Sequence, residues 1–180
     1  MLRLQQVLLT TLFVIVGFAQ SLPPTINWQK CIGGNRSEAC QSVLQLSDGH
    51  LLAAGYCMSS DGDLRGCFMR GEFDAMAVKL DSMREIEWIN TYGGSETETF
   101  YSSLECYEGG YIFAGLTNSD DCEVVGWHEP TTGSSSGIFS PVTDAWLVKT
   151  DNIGHLEWQR CIGGGGEDEF LSIINTSDSG

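Results

Sequence analysis

Four groups of residues in this chain have types and spacings that could do chemistry. Cys57 and Cys67 flank one loop and are the best-placed pair for a disulfide among seven cysteines. The count is odd, and spacing alone does not fix connectivity. Asp61-Gly62-Asp63 sets two carboxylates around a glycine, a fragment of a calcium-loop pattern. Ca2+ takes roughly six to eight oxygens, so a site at Asp61 and Asp63 needs backbone or neighbouring-loop help; the glutamate that closes an EF-hand loop is missing. Trp127, beside His128 in a long polar loop, is the aromatic best placed to be exposed for binding. Glu38, Glu96, Glu98, Glu167, Asp168 and Glu169 lie in short connecting segments and are expected to gather on one rim.

Other patterns dissolve on inspection. "GSSSG" (Gly133 to Gly137) has the letters of a nucleophile elbow around Ser135. It lies in the Ser/Gly-rich "TTGSSSGIFS" instead of between a strand and a helix. "GGGGED" (Gly163 to Asp168) is acidic where a phosphate cradle needs a cation, and no Lys-Ser/Thr follows. His50, His128 and His155 lie far apart, without metal-ligand spacing, and there is no Cys-x-x-Cys. Asn35-Arg36-Ser37 and Asn175-Thr176-Ser177 match glycosylation sequons. The sequence therefore assigns no catalytic residue and no cofactor, with Ca2+ the one ion whose donors can be named.

Charge narrows the partners. Nine Lys+Arg stand against 24 Asp+Glu, a formal net charge of −15. Such a surface repels phosphate backbones and anionic headgroups, so nucleic acid and membrane surfaces are poor partners. Arg3 precedes an apolar run from Val7 to Ala19 that ends among the small residues Gly17 and Ala19. That run is shorter than the ~20 residues a membrane span takes. It reads as a signal peptide, residues 1–19, cleaved after Ala19, and predicts export. No later stretch is long and apolar enough to span a membrane.

The elements that position these groups repeat. "WQKCIGG" (Trp28 to Gly34) returns as "WINTYGG" (Trp88 to Gly94) and as "WQRCIGG" (Trp158 to Gly164), at steps of about 60 and then about 70 residues. "SVLQLSDGHLLAAGY" (Ser42 to Tyr56) matches "SSLECYEGGYIFAGL" (Ser102 to Leu116), and "DAMAVKLD" (Asp74 to Asp81) matches "DAWLVKTD" (Asp144 to Asp151). The extra length sits between Thr117 and Thr143. Each unit reads as four short strands, in the first unit near Ser42–Leu46, Leu51–Tyr56, Ala75–Leu80 and Glu85–Tyr92, joined by turns such as Ser47-Asp48-Gly49. Both faces of the third strand are apolar, which predicts sheets covered on both sides.

Four-stranded units at this spacing read as β-propeller blades; a β-sandwich with fortuitously similar hairpins is the other architecture that fits. The expected organisation after residues 1–19 is a repeat region, 20–180. It comprises a strand at 26–34, blades at 40–94 and 100–164, and a partial blade at 170–180. Closed propellers typically hold about four to eight blades, so two blades plus fragments predict further blades in a longer protein.

The phrases Trp-Gln-Lys-x-Ile-Gly-Gly, Ser-Asp-Gly, Ala-Gly-Tyr, "SSDGDLRG" and Asp-Ala-x-x-Val-Lys-Leu-Asp resemble repeats of secreted bacterial β-propeller proteins. A related pattern is the seven-bladed β-propeller (SBBP) repeat, and many such proteins carry type IX secretion signals. The resemblance implies an exported, non-catalytic binding or scaffold module at or outside the cell surface, with a protein or glycan ligand. The alternative is part of a secreted glycan-active enzyme whose catalytic residues lie in further blades.

Overall fold

The computed structural model describes residues 25–129 and 142–176. Residues 1–19, expected to be a signal peptide, lie outside them, as do Ser135 and the last residues of the expected partial blade. Turn chemistry explains where the strands begin. Asp48 Oδ1 accepts the His50 N–H at 3.0 Å. Asp81 Oδ1 accepts two N–H bonds, from Met83 and Glu85, and Asp151 Oδ1 does the same for Ile153 and His155. Each aspartate folds its own turn and so fixes the register of the hairpin behind it.

The eight strands are β1 (Glu38–Gln45), β2 (Leu51–Cys57), β3 (Asp74–Leu80), β4 (Ile86–Tyr92), β5 (Glu98–Glu105), β6 (Tyr111–Thr117), β7 (Asp144–Thr150) and β8 (Leu156–Ile162). They form two antiparallel sheets, β1-β2-β3-β4 and β5-β6-β7-β8, so the protein is all-β and built of two blade-like units. Among the described residues the only helical element is a 3-10 turn, Gly62–Leu64, and no helix is long and apolar enough to cross a membrane.

The units repeat in detail. Bulges interrupt the ladders between Cys40 and Ser42 and, in the same place, between Phe100 and Ser102. The first bulge explains why β1 starts at Glu38, four residues before Ser42, where the alternating pattern begins. Pairing continues past the bulge to Cys57, but the extra residue breaks the period of two that marks a strand in sequence.

The sheets pack face to face. From the first come Leu52, Ala54, Ala75, Ala77 and Tyr92; from the second come Phe100, Phe113, Trp146 and Val148, all buried. Small alanines on one side leave room for the aromatic layer on the other, where Phe100 stacks on Phe113 at 4.8 Å and on Trp146 at 5.7 Å. A second cluster, Cys57, Leu64, Met76, Val78 and Leu80, covers the opposite face of the first sheet. Of the three repeated tryptophans, Trp88 packs between the sheets against Tyr111. Trp28 and Trp158 are half exposed, and Trp28 lies under the Arg84 guanidinium. Residues 25–34 join no ladder, because the described residues supply no neighbouring strand for them.

The contact between units is also reproduced beyond the second sheet. Ser42 Oγ meets Ser103 Oγ at 3.0 Å, and one step later Ser102 Oγ accepts the Ile173 N–H at 3.2 Å. Residues 170–176 thus lie against the second sheet as β5 lies against the first.

Candidate binding face

Where each unit leaves its last strand, the chain turns through a Gly-Gly corner and exposes successive N–H groups that no ladder uses. Such donors need acceptors. At the first corner Gly33 N donates to Asp63 Oδ2, Gly34 N to Glu38 Oε2, Asn35 N to Asp61 Oδ1 and Arg36 N to Ser59 Oγ. At the second, Gly93 N donates to Glu123 Oε2, Gly94 N to Glu98 Oε2, Ser95 N to Asp121 Oδ1 and Glu96 N to Ser119 Oγ. A third corner keeps Gly164 N to Asp168 Oδ2. The loop after the second strand of each unit is therefore tied to the corner entering that unit. Parallel bridges Phe73–Thr97 and Thr143–Glu167 bring the two sets of segments to one face.

Asp61 and Asp63 sit on this face, each with one carboxylate oxygen given to a backbone N–H. Among the described residues, no group of three or more His, Cys, Asp and Glu side chains is arranged to hold a metal ion. Glu98 departs from the expected exposed rim. It is fully buried, with Oε2 on Gly94 N and Oε1 accepting the Thr117 hydroxyl at 2.7 Å. Burial pushes its carboxyl above the ordinary glutamate range, and the bonds from Ser119, Thr117 and Gly94 pull it only partly back. Ser119, Asp121 and Glu123 escaped the sequence reading, although a signal exists. Ser59-x-Asp61-x-Asp63-Leu64 recurs as Ser119-x-Asp121-x-Glu123-Val124, with Leu64 and Val124 both buried.

A half-buried ion pair spans the two units. Arg70 reaches Glu123 Oε1 at 2.6 Å and also donates to the carbonyls of Phe68 and Thr91. Desolvation raises the Glu123 carboxyl, with the Arg70 charge acting against it. Removing one partner of such a pair leaves the other charge unmatched. Arg70→Ala is expected to cost about 1–2 kcal/mol in urea unfolding, between an exposed and a fully buried pair, and Arg70→Ala/Glu123→Ala less than the sum of the single changes.

Trp127 stands at the edge of an open groove of about 510 Å3 lined with Ser95, Glu96, Asn118, Asp120, Asp121 and Val142. Its ring is partly exposed, while its indole N–H is shielded from solvent and has no acceptor among the described residues. Next to it, His128 donates its backbone N–H to Asp144 Oδ2 at 2.9 Å, and its Nδ1 lies 2.8 Å from the same oxygen. Asp144 is fully buried, and among the described residues Oδ1 has no hydrogen-bond partner. Its counterpart Asp74 has both oxygens satisfied, by Arg70 N and Gly71 N. Three positions before Asp144, where Gly71 stands before Asp74, the sequence has Pro141, which carries no N–H.

Cys57 and Cys67 are free thiols on the far side of the first sheet, in the cluster with Leu64 and Met76. No protein-family model matches the chain, and no curated protein matches it.

Proposed function

We propose that this chain is an exported, non-catalytic module of β-propeller-type repeats that binds a glycan on the corner face, with Trp127 as the stacking platform. The observation that carries the reading is the groove at Trp127. It combines a partly exposed indole with carboxylate and amide groups from two other segments, the mixture that recognises a polyhydroxylated ligand. The corner carboxylates support binding over hydrolysis, because Asp61, Asp63, Glu98 and Asp121 are occupied with backbone or hydroxyl donors.

A glycan array followed by titration calorimetry tests the reading. Trp127→Ala is expected to weaken binding roughly tenfold or more, while Trp158→Ala, on the outer strand, leaves it unchanged. A blank array, or equal binding by Trp127→Ala, refutes it. A melting shift with Ca2+ that vanishes in Asp61→Asn/Asp63→Asn would add the ion to the ligand set.

The His128–Asp144 pair favours a second reading, a glycan-active enzyme. A buried aspartate beside a histidine ring nitrogen is how a general base is oriented. Under that reading His128→Ala abolishes turnover of the bound glycan without loss of binding.

A further inference from the structure

The bulges of β1 and β5 each leave one residue outside the ladder. Cys40 pairs with Gly55 and Ser42 with Ala54, so Gln41 is skipped; Phe100 pairs with Gly115 and Ser102 with Ala114, so Tyr101 is skipped. A bulge re-aims the side chain it releases. Both released residues line one pocket of about 330 Å3 at the seam of the units, together with Tyr56, Phe73, Thr99 and Leu116. Phe73 meets Tyr56 edge to face, with ring centroids 5.3 Å apart. Tyr101 adds a third, half-buried ring. Resting on the glycan reading above, we propose that this pocket is a second sugar subsite, seating one neutral ring of the glycan that stacks on Trp127, so that the ligand is an oligosaccharide.

Aromatic rings beside amide and hydroxyl groups suit the apolar face of a sugar and its hydroxyls together. The volume lies at the lower end of ligand pockets, roughly 300–1,000 Å3, which fits one ring and not a run of them. The ring is neutral because the pocket offers no free charge. Glu98 is the one charged residue lining it among the described residues, and its two oxygens are taken by Gly94 N and the Thr117 hydroxyl. A polar group is free instead. Thr99 pairs with Leu116, and both line the pocket. Thr99 is buried, and its hydroxyl has no hydrogen-bond partner among the described residues; a sugar hydroxyl there supplies one.

The pocket joins the Trp127 groove at Asn118, which lines both. Asn118 Oδ1 accepts the Thr97 N–H at 2.7 Å, and this bond holds the side chain at the junction. Val142 and Thr143, consecutive in the chain, line the groove and the pocket respectively. A chain of sugars can therefore cross from one to the other over Asn118. The repeat does not require the rings. Leu116 and Thr143 stand in the second unit where Tyr56 and Phe73 stand in the first, and Gln41 stands in the first where Tyr101 stands in the second. The three rings collect at this seam.

The test screens the full chain on an array of neutral and charged glycans of one to six residues, then titrates the tightest-bound neutral oligosaccharide and its single-sugar fragment by calorimetry. Affinity is expected to rise roughly tenfold or more from the single sugar to the oligosaccharide. Tyr101→Ala should weaken oligosaccharide binding roughly tenfold, and Tyr101→Phe, which keeps the ring, by less than about threefold. Thr99→Val should weaken it severalfold while melting at or above the parent, because a methyl group replaces an unpaired buried hydroxyl. Val43→Ala, at an exposed position of β1, should change nothing. Parent-like affinity in Tyr101→Ala and Thr99→Val overturns the subsite; if Trp127→Ala still weakens binding, the glycan reading stands without it. Equal affinity for the single sugar and the oligosaccharide overturns the subsite as well, as does binding confined to charged glycans. An array blank for every glycan removes both the subsite and the Trp127 platform.

Discussion

Glu98→Ala is expected to destabilise the chain by about 3–5 kcal/mol in chemical denaturation, one of the largest effects of any single change. The side chain is fully buried and accepts from both Gly94 N and the Thr117 hydroxyl. Truncation strands those two donors in a place water does not reach, and it opens a void beneath the corner. Glu98→Gln keeps shape and one acceptor, so its cost should be about 1 kcal/mol. The two variants separate the charge from the hydrogen bonds.

The charge has its own signature. Asp74, Glu98 and Glu123 all titrate above their ordinary values, with desolvation the leading cause in each, and the Asp74 charge adds to the rise at the other two. The folded state therefore holds these protons more tightly than the unfolded chain does. By linkage, stability grows as pH falls from neutral through the raised values toward the ordinary ones, 3.8 for aspartate and 4.5 for glutamate. Glu38 has the opposite sign. Burial pulls its carboxyl up, but bonds from Ser59, Gly34 and Met58 outweigh that and leave it lowered, so its contribution is lost as pH falls below 4.5. Melting temperature should thus peak in mildly acidic buffer and drop on both sides. In Glu98→Gln the rise on acidification should be smaller than in the parent. A parent curve that climbs steadily from pH 5 to pH 8 would contradict the assignment.

Gly115→Ala carries the other large expected effect, about 3 kcal/mol or more and enough to prevent expression of folded chain. Gly115 pairs with Phe100 beside the bulge of β5, and a methyl group there would fall on the Thr99 carbonyl oxygen. Backbone on both strands blocks relief. Gly55, facing Ala39 at the first unit's bulge, has the same constraint. Gly164, whose added methyl would meet nothing within 4 Å, is the control, and Gly164→Ala should change stability by less than about 0.5 kcal/mol. Equal melting of the two variants would show that the bulges relax.

The same bulges mark the limit of what the sequence reveals. Strands β2, β3 and β7 are legible because an apolar run meets an Asp-led turn at one end of each, and β6 because its apolar run follows the Gly109-Gly110 turn. The start of β1 is hidden, since an extra residue resets the alternation. Glu98 is hidden for a different reason. A carboxylate in a Gly-rich connection looks like a solvated charge until Thr117, on another strand, is known to lie beside it. The repeated tryptophans look equivalent, yet Trp88 leans on Tyr111 whereas Trp28 and Trp158 have no such aromatic partner among the described residues. Position in the repeat is written in each copy; the neighbour that gives the position its meaning is not. Asp61 and Asp63 show this at the candidate site, where a metal-like spacing meets backbone donors from a segment nearly thirty residues earlier.

The contact between the sheets has a direction. Alanines of the first unit receive the aromatic layer of the second, and Ser42–Ser103 is followed by Ser102–Ile173 in the same sense. The two surfaces of each unit are complementary to each other and not to themselves. Association through them is therefore heterologous, and a twofold dimer cannot use it. Any further unit must join head to tail, so a stack of such units has two chemically different ends, as a growing filament does.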